Sequence, residues 1–192
     1  MSTKKEVKIM GEKEAVIIKP YNPKWAEMFE ILRTKLIHHV GGQVIRVDHI
    51  GSTAVPELAA KPVIDVQISI IDFHSMEDLK TGMKLMGFVF REDNPDLTKR
   101  YFREAVGMER THIHVREKGS WSEQFNLLFR DYLRTHEQDR NEYAAIKYQL
   151  AQEHRTDRER YVEGKTDIVW AIMKKANRWS QAIGWKPDKS EM

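Results

Sequence analysis

The sequence predicts an α+β fold, in which a mixed β-sheet of about five strands is flanked by helices and followed by a helical C-terminal half. Two observations predict it. Between residues 15 and 118, short β-branched segments alternate with turns that contain glycine, asparagine and proline. Beyond Gly119 the apolar residues recur at helical spacing through successive segments, with no strand pattern between them.

The first elements follow a polar leader at residues 1–14. Residues 15–19 are a candidate short strand. Asn22-Pro23 indicates a helix start, because asparagine caps helices and proline is favoured at their first position. Apolar residues then recur at three- and four-residue spacing from Trp25 to His39, and Gly41-Gly42 ends the predicted helix.

The rest of the sheet is predicted from alternation and β-branched content. The segment TAVPELAAK at residues 53–61 is too short for a crossover helix, so the strands on either side of it are predicted to be antiparallel, or joined by a tight turn with one short helical segment. The predicted elements are strands at 44–50 and 62–71, a helix at 74–86, and strands at 88–91, 100–106 and 111–116.

The C-terminal half is predicted to contain helices at 120–135, 137–153 and 162–179. The chain is thus interpreted as a single domain at residues 15–180, with a sheet core at 15–118, a helical part at 119–180 and a flexible tail at 181–192. Six aromatic residues at helical spacing are predicted to lie in the core: Trp25, Phe29, Phe125, Phe129, Tyr132 and Trp170.

Composition excludes several classes of protein. There are no cysteines, so disulfides and thiolate sites are absent. Neither a signal peptide nor a run of about 18 apolar residues is present, and this predicts a cytoplasmic protein that does not enter a membrane. The 32 basic residues nearly balance the 29 acidic ones, and a net charge of +3 makes nucleic acid an improbable partner.

The richest chemical signal is the segment HIGSTAVPELAAKPVIDV at residues 49–66. Here a predicted strand ends in a turn of small residues. Glycine permits close approach of the backbone to a ligand, while hydroxyls and backbone amides donate hydrogen bonds to phosphate oxygens. We therefore interpret five residues as a phosphate-binding group: His49, Gly51, Ser52, Thr53 and Lys61.

Asp65 lies within the apolar run Val63-Ile64-Asp65-Val66. A carboxylate in a buried strand is costly unless it binds a metal or pairs with a cation, so Asp65 is the strongest single candidate for a catalytic or metal-binding residue. The alternative is a structural carboxylate that Lys61, an arginine or backbone amides satisfy.

His112 and His114 are two residues apart on a predicted strand and therefore point to one face of the sheet. With Asp65 they form a candidate metal site, in which either histidine serves as ligand or general base. Magnesium or manganese suits the carboxylate, whereas the histidines favour a transition metal such as zinc or manganese. The alternative is a hydrogen-bonded structural pair.

Further cations lie in the helical half. Arg130 and Arg134 are four residues apart and share a helix face, and Lys147 and Lys165 follow in the next two predicted helices. These four residues are candidates for a phosphate clamp. The alternative is that they are solvated surface charges.

The sequence resembles the GrpB family, which also occurs fused to some dephospho-coenzyme A kinases. The resemblance spans residues 16–179. It depends on HIGSTAVP with AKPVIDV, on THIHV at 111–115, on LLFRDYLR at 127–134, and on the positions Tyr143, Lys147, Tyr161 and Lys165. The resemblance implies a nucleotidyltransferase-like fold, whose active members have a glycine-serine turn and, about a dozen residues later, an acid on the adjacent strand. Twelve residues separate Ser52 from Asp65.

Two positions depart from the pattern that the resemblance implies. Active members of the superfamily carry a second acid two residues after the first, and this chain has Gln67 there. An amide lacks the charge that holds a second divalent ion. Glu57 stands in the turn where the family tends to have glycine.

These observations lead to a hypothesis of a metal-dependent nucleotidyltransferase-like enzyme that transfers a nucleotidyl or phosphoryl group from a nucleoside triphosphate, or another phosphorylated small molecule, to an unidentified acceptor. Two alternatives stay open. One is a nucleotide- or coenzyme A-binding module that has lost catalysis, and the other is an interaction protein that uses its C-terminal helices. The oligomeric state is left open.

Overall fold

The computed structural model describes residues 15–74 and 76–188, so the predicted leader at 1–14 and the last four residues lie outside the described residues. The predicted α+β architecture is confirmed. The strands are β1 (Arg46–Ile50), β2 (Ile64–Ile70), β3 (Phe88–Phe90), β4 (Arg100–Glu104) and β5 (Thr111–Glu117). The helices are α1 (Lys24–Val40), α2 (Glu77–Leu85), α3 (Trp121–Thr135), α4 (Glu137–Glu153), α5 (Arg158–Glu163) and α6 (Thr166–Ile183).

The five strands form one mixed sheet in the order β1-β2-β5-β4-β3. Strands β2 and β5 are parallel, and the other neighbouring pairs are antiparallel, which confirms the prediction for β1 and β2. In the β2–β5 register Asp65 lies opposite His112 and Gln67 lies opposite His114. Because side chains alternate along a strand, these four residues share one face of the sheet.

The two faces of the sheet differ in chemistry. One face is apolar, with Val66, Ile68 and Ile113 fully buried in a core completed by residues of α1 and α2. The other face is polar yet also buried, because α3 packs across it. Ser69 on this polar face donates a hydrogen bond to the Glu123 carboxylate of α3.

The helical half has a second apolar core, built from α3, α4 and α6. The loop between β1 and β2 contributes Val55 and Leu58 to this core, and both are almost completely buried. The loop that carries the glycine-serine turn is therefore packed between the sheet and the helical half.

Several predicted boundaries change. Residues 15–19 were predicted to be a short strand. They instead contribute one isolated β-bridge, between Lys19 and Ala60. The last predicted helix is instead two helices, α5 and α6, which meet at Gly164. A Cβ built at Gly164 would lie 2.6 Å from Leu150 Cδ2, so the close approach of α4 requires glycine here.

The C-terminal helix and its aromatic residues also differ from expectation. Helix α6 continues to Ile183, past the predicted start of the tail at residue 181, and the Trp185 indole donates a hydrogen bond to Asp131 at 3.2 Å. Trp170 was predicted to be core but is 49% exposed, because it lies on the outer side of α6. Among the described residues, no helix has the length and apolar character needed to cross a membrane.

Candidate functional site

The site is built around the turn that ends β1. Gly51 has φ of 70°, a conformation that L side chains rarely adopt, and residues 52–54 then form one turn of 3-10 helix. A Cβ added at Gly51 would lie 2.7 Å from Asp65 Oδ2. The absence of a side chain at this position therefore lets the turn contact the β2 carboxylate.

His49 and Thr53 hold this turn from within. The Thr53 hydroxyl donates a hydrogen bond to the Val63 carbonyl at 3.0 Å and lies 3.0 Å from His49 Nε2. Since the hydroxyl proton is used on Val63, the His49 Nε2–H is the donor to Thr53. The His49 ring stacks on Phe29, and burial lowers the pKa of His49 to about 3. His49 is thus a neutral structural histidine.

Asp65 lies between the two predicted histidines. Its Oδ1 is 3.0 Å from His112 Nδ1 and 3.7 Å from His114 Nε2. Burial raises the pKa of Asp65, but the hydrogen bonds from the two histidines outweigh burial and hold the pKa below its usual value. Burial also lowers the pKa of His114, against the attraction of Asp65. Among the described residues, these three form the group whose ligand atoms could hold a metal ion.

A cavity of about 230 Å³ opens beside Asp65 and His112. Both halves of the protein contribute to its wall, and cations outnumber acids in it. The lining residues are Gly51, Ser52, Thr53, Ala60, Lys61, Val63, Asp65, His112, Tyr143, Lys147, Arg158, Tyr161 and Lys165. We refer to this space as the lysine cavity.

Each of the three lysines lies over the face of a tyrosine. The Nζ atom of Lys147 is 4.6 Å from the centre of the Tyr143 ring, and the Nζ atoms of Lys165 and Lys61 lie 4.7 and 5.3 Å from the centre of the Tyr161 ring. Lys147 is only 2% exposed, and its ammonium donates a hydrogen bond to the Ala59 carbonyl. Cation–π contacts thus hold the lysines in place.

The lysines are electrostatically crowded. Burial, together with the charges of Lys165 and Arg158, lowers the pKa of Lys61 to about 8. Burial and the charge of Lys165 place the pKa of Lys147 well below its usual value. Burial also lowers the pKa of Lys165. The folded protein would therefore gain electrostatic stability from an anion in the lysine cavity.

Gln67, the position of the missing second acid, is fully buried and committed to structure. Its Oε1 accepts a hydrogen bond from Asn126 at 2.8 Å, and its Nε2 donates to the Glu123 carbonyl at 3.3 Å. Both ends of the amide are anchored to α3. The orientation of the Gln67 amide is thus fixed by α3, and one lone pair of its oxygen is used within the protein.

Arg130 and Arg134 do not reach the lysine cavity. They line a separate cleft of about 260 Å³, with His49 and Asp48. Arg130 Nη1 donates a hydrogen bond to the His49 carbonyl at 3.0 Å, and Arg134 Nε donates to the Ala54 carbonyl at 3.0 Å. In this position both arginines support the turn. The structure brings them to His49, and not to the predicted phosphate-binding residues that line the lysine cavity.

The sequence profile described as GrpB protein matches residues 15–175, most of the chain. The chain belongs to the GrpB family. It is similar to the UPF0157 protein SCO7215 of Streptomyces coelicolor, at 34% identity over 88% of this chain and 90% of that protein. The crystal structure of conserved protein GrpB from Enterococcus faecalis gives a TM-score of 0.77 at 30% identity, covering 85% of this chain and 99% of that one.

Other relatives are longer than this chain. The UPF0157 protein YqkA of Bacillus subtilis is 36% identical over 88% of this chain, which covers 49% of that protein. A dephospho-CoA kinase of Mycobacterium tuberculosis is 28% identical over 88% of this chain, which covers 47% of the kinase. The chain thus spans about half the length of these two relatives.

Glu57 is the residue that stands where the GrpB resemblance led us to expect glycine. Its φ of 64° is the one positive value among the described non-glycine residues, and it explains why glycine would suit the position. Glu57 Oε2 lies 2.5 Å from Arg140 Nη2, and this ion pair ties the loop to α4. Glycine would avoid the backbone cost at this position but could not form this ion pair.

Sequence reasoning missed four residues of the site. Tyr143 and Tyr161 entered only as positions of the GrpB pattern, with no role, although their rings carry the three lysines. Tyr101 packs against the rings of both His112 and His114, and its place on β4 could have been inferred only from strand pairing. Arg158 looks like an ordinary helix charge, and nothing in the sequence distinguishes it.

Proposed function

We propose that this GrpB-family protein binds the phosphates of a nucleoside triphosphate in the lysine cavity and transfers a nucleotidyl or phosphoryl group to an acceptor, with a divalent ion at Asp65. One observation carries the proposal: four cations surround the Gly51–Ser52 turn within the lysine cavity, and Asp65 is the only carboxylate among the lining residues. Such an excess of positive charge suits a phosphate ligand.

Each residue has a role that its position supports. The turn at Gly51 presents the backbone and the Ser52 hydroxyl to a phosphoryl oxygen, while Lys61, Lys147 and Lys165 neutralise the charge that spreads over the phosphates. A divalent ion, whether magnesium, manganese or zinc, would polarise the transferred group when bound at Asp65. His112, oriented by its hydrogen bond to Asp65, serves as ligand or as general base.

The volumes support a ligand that extends out of the lysine cavity. A space of about 230 Å³ is smaller than the 300–1,000 Å³ that drug-sized ligands occupy. A neighbouring cavity of about 340 Å³ shares Lys61 and Arg158 as lining residues. We place the phosphates in the lysine cavity and the remainder of the ligand in this outer space.

The test is calorimetric titration of ATP, with magnesium and separately with manganese, into the wild-type protein and two variants. We expect Lys165→Met to weaken ATP binding with either metal, and Asp65→Asn to remove the metal dependence of binding. Lys84→Met changes an exposed lysine in the last turn of α2 and is the matched control. Equal affinity in Lys165→Met and Lys84→Met would contradict the proposed phosphate site.

A second candidate is a nucleotide- or coenzyme A-binding module without catalysis. It is favoured by Gln67, whose amide is buried and hydrogen-bonded at both ends where an active superfamily member would have a second acid. The relation to dephospho-CoA kinases, as half of a longer chain, makes coenzyme A a reasonable second ligand. Tight binding of ATP or coenzyme A, with no release of pyrophosphate or phosphate over many hours with any acceptor tried, would favour this candidate.

A further inference from the structure

The fold to which the resemblance points implies a pair of divalent ions held by carboxylates, and the residues present do not fit such a pair. Asp65 is the only carboxylate among the three residues that could hold a metal ion. The residue two positions on is Gln67, whose amide is held by Asn126 and by the Glu123 carbonyl. The neighbouring strand β5 presents His112 and His114 opposite these two positions, so it adds imidazoles and no further carboxylate there.

We propose that Asp65, His112 and His114 hold a single transition-metal ion of the zinc type, in preference to magnesium. This inference deepens the proposed function, because it names the ion and the number of ions at that site. Two imidazoles and one carboxylate form a ligand set that suits zinc, cobalt or manganese, whereas magnesium prefers oxygen ligands and retains several waters.

The distances support one shared ion. Ligand atoms that lie about 2.0–2.1 Å from a tetrahedral zinc ion are about 3.3 Å from one another. Asp65 Oδ1 lies 3.0 Å from His112 Nδ1 and 3.7 Å from His114 Nε2, so the two separations bracket this value. The three ligand atoms all lie within 4.8 Å of one another. Small rotations of the rings would complete the arrangement.

The contacts of the two imidazoles bear on these rotations. Tyr101 packs against both rings, with ring centres 5.8 Å from His112 and 5.1 Å from His114. The second ring nitrogen of His112, Nε2, is buried and has no hydrogen-bond partner within the described part of the chain. No second hydrogen bond must therefore break when this ring turns from Asp65 toward an ion.

Charge makes a further prediction about the same site. Lys61, Lys147 and Lys165 line the lysine cavity beside Asp65, and their positive charges oppose a bare divalent ion. Phosphate bound to the lysines would relieve this repulsion. The affinity for the ion should rise when phosphate is present, and by linkage the affinity for phosphate should rise by the same factor when the ion is present.

The experiment is a titration of cobalt(II) into untagged protein, followed by the visible absorption of the ion, because cobalt takes zinc sites and its spectrum reports nitrogen ligands and geometry. We expect one ion per chain, displacement by an equimolar amount of zinc, and no displacement by a thousandfold excess of magnesium. Two ions per chain, displacement by magnesium at equal concentration, or no bound cobalt would overturn the proposal.

Variants assign the ligands. His114→Ala and Asp65→Asn should each weaken cobalt binding at least tenfold and change its spectrum, whereas His74→Ala should not, because that histidine is fully outside the site with a side chain 89% exposed. Circular dichroism establishes folding of each variant, and the wild-type competition with magnesium stands without them. Cobalt binding needs no nucleotide, so its failure would leave the proposed phosphate site intact, and failure of ATP binding would leave the metal site intact.

Discussion

The lysine cavity and the cleft lined by Arg130 and Arg134, which we call the arginine cleft, both adjoin the turn after β1, and their cations differ in how they are neutralised. In the cleft, Arg130 lies 2.7 Å from Asp131 and 3.5 Å from Asp48, and it donates to the His49 carbonyl. In the cavity, none of the three lysines forms a salt bridge within residues 15–74 and 76–188. Paired cations maintain structure, whereas unpaired and crowded cations are a feature of sites that receive an anion.

The largest expected effect tests the structural side of this comparison. Arg130→Ala removes a buried guanidinium and leaves the Asp131 and His49 acceptors short of a donor, so we expect a loss of about 3 kcal/mol in the free energy of unfolding, measured with urea. Arg91→Ala, which breaks an exposed pair with Asp93, should change the free energy of unfolding far less, because solvent screens this pair. Equal effects would show that Arg130 is not a structural residue.

The next effect concerns the turn that the two regions share. Gly51→Ala adds a Cβ at positive φ and within 2.7 Å of Asp65 Oδ2, so we expect a loss of about 1–2 kcal/mol from the backbone and an additional loss from displacement of the carboxylate. The matched control is Gly107→Ala, because Gly107 also has positive φ but no atom within 4 Å of an added Cβ. Thermal unfolding of both variants separates backbone strain from the clash, and identical losses would argue against the contact with Asp65.

Lys147→Met tests the cavity side. The change removes a buried amino group, whose desolvation destabilises the fold, together with its stabilising hydrogen bond to Ala59. These two terms oppose each other, so the free energy of unfolding should change by less than about 1 kcal/mol. The affinity for ATP should fall about tenfold, which corresponds to about 1.4 kcal/mol. Calorimetry and urea unfolding of the same preparation measure both quantities. A large loss of stability with unchanged affinity for ATP would show that Lys147 is a structural residue and not a ligand-binding one.

The smallest effect is a dependence on pH. The pKa of Lys61 is lowered to about 8 in the folded protein, whereas its ordinary value is 10.5. Between these values the unfolded chain holds a proton that the folded protein has lost, so stability should rise with pH from 8 to 10.5, by on the order of 1 kcal/mol after solvent screening. Urea unfolding at pH 7.5, 9 and 10.5 should show a smaller rise in Lys61→Met. Parallel curves for the two proteins would rule out this assignment.

The features of the site that depend on local spacing in the chain could be predicted from the sequence. The glycine-serine turn, Asp65 and the sharing of a face by His112 and His114 follow from positions close in the chain and from the two-residue period of a strand. The contact between Asp65 and His112 depends on the parallel register of β2 and β5. Residues 47 apart in the chain give no local signal of that register.

Long-range packing explains the remaining differences. Helical spacing correctly placed Arg130 and Arg134 on one face of α3, but it could not tell on which side of the turn that face would lie. The same limit applies to Trp170, whose aromatic character predicted core although α6 places it half-exposed. The choice of partner for a helix face is made by the tertiary structure.

Both halves of the protein contribute residues to the wall of the lysine cavity, and this affects how the two halves unfold. Asp65 and Lys61 come from the sheet half, whereas Lys147 and Lys165 come from the helical half. With no anion bound, the like charges of the two halves repel one another. A bound anion would contact cations of both halves and hold the halves together. We expect amide hydrogen exchange in α4 and α6 to slow when phosphate binds, with the two halves then unfolding as one cooperative unit.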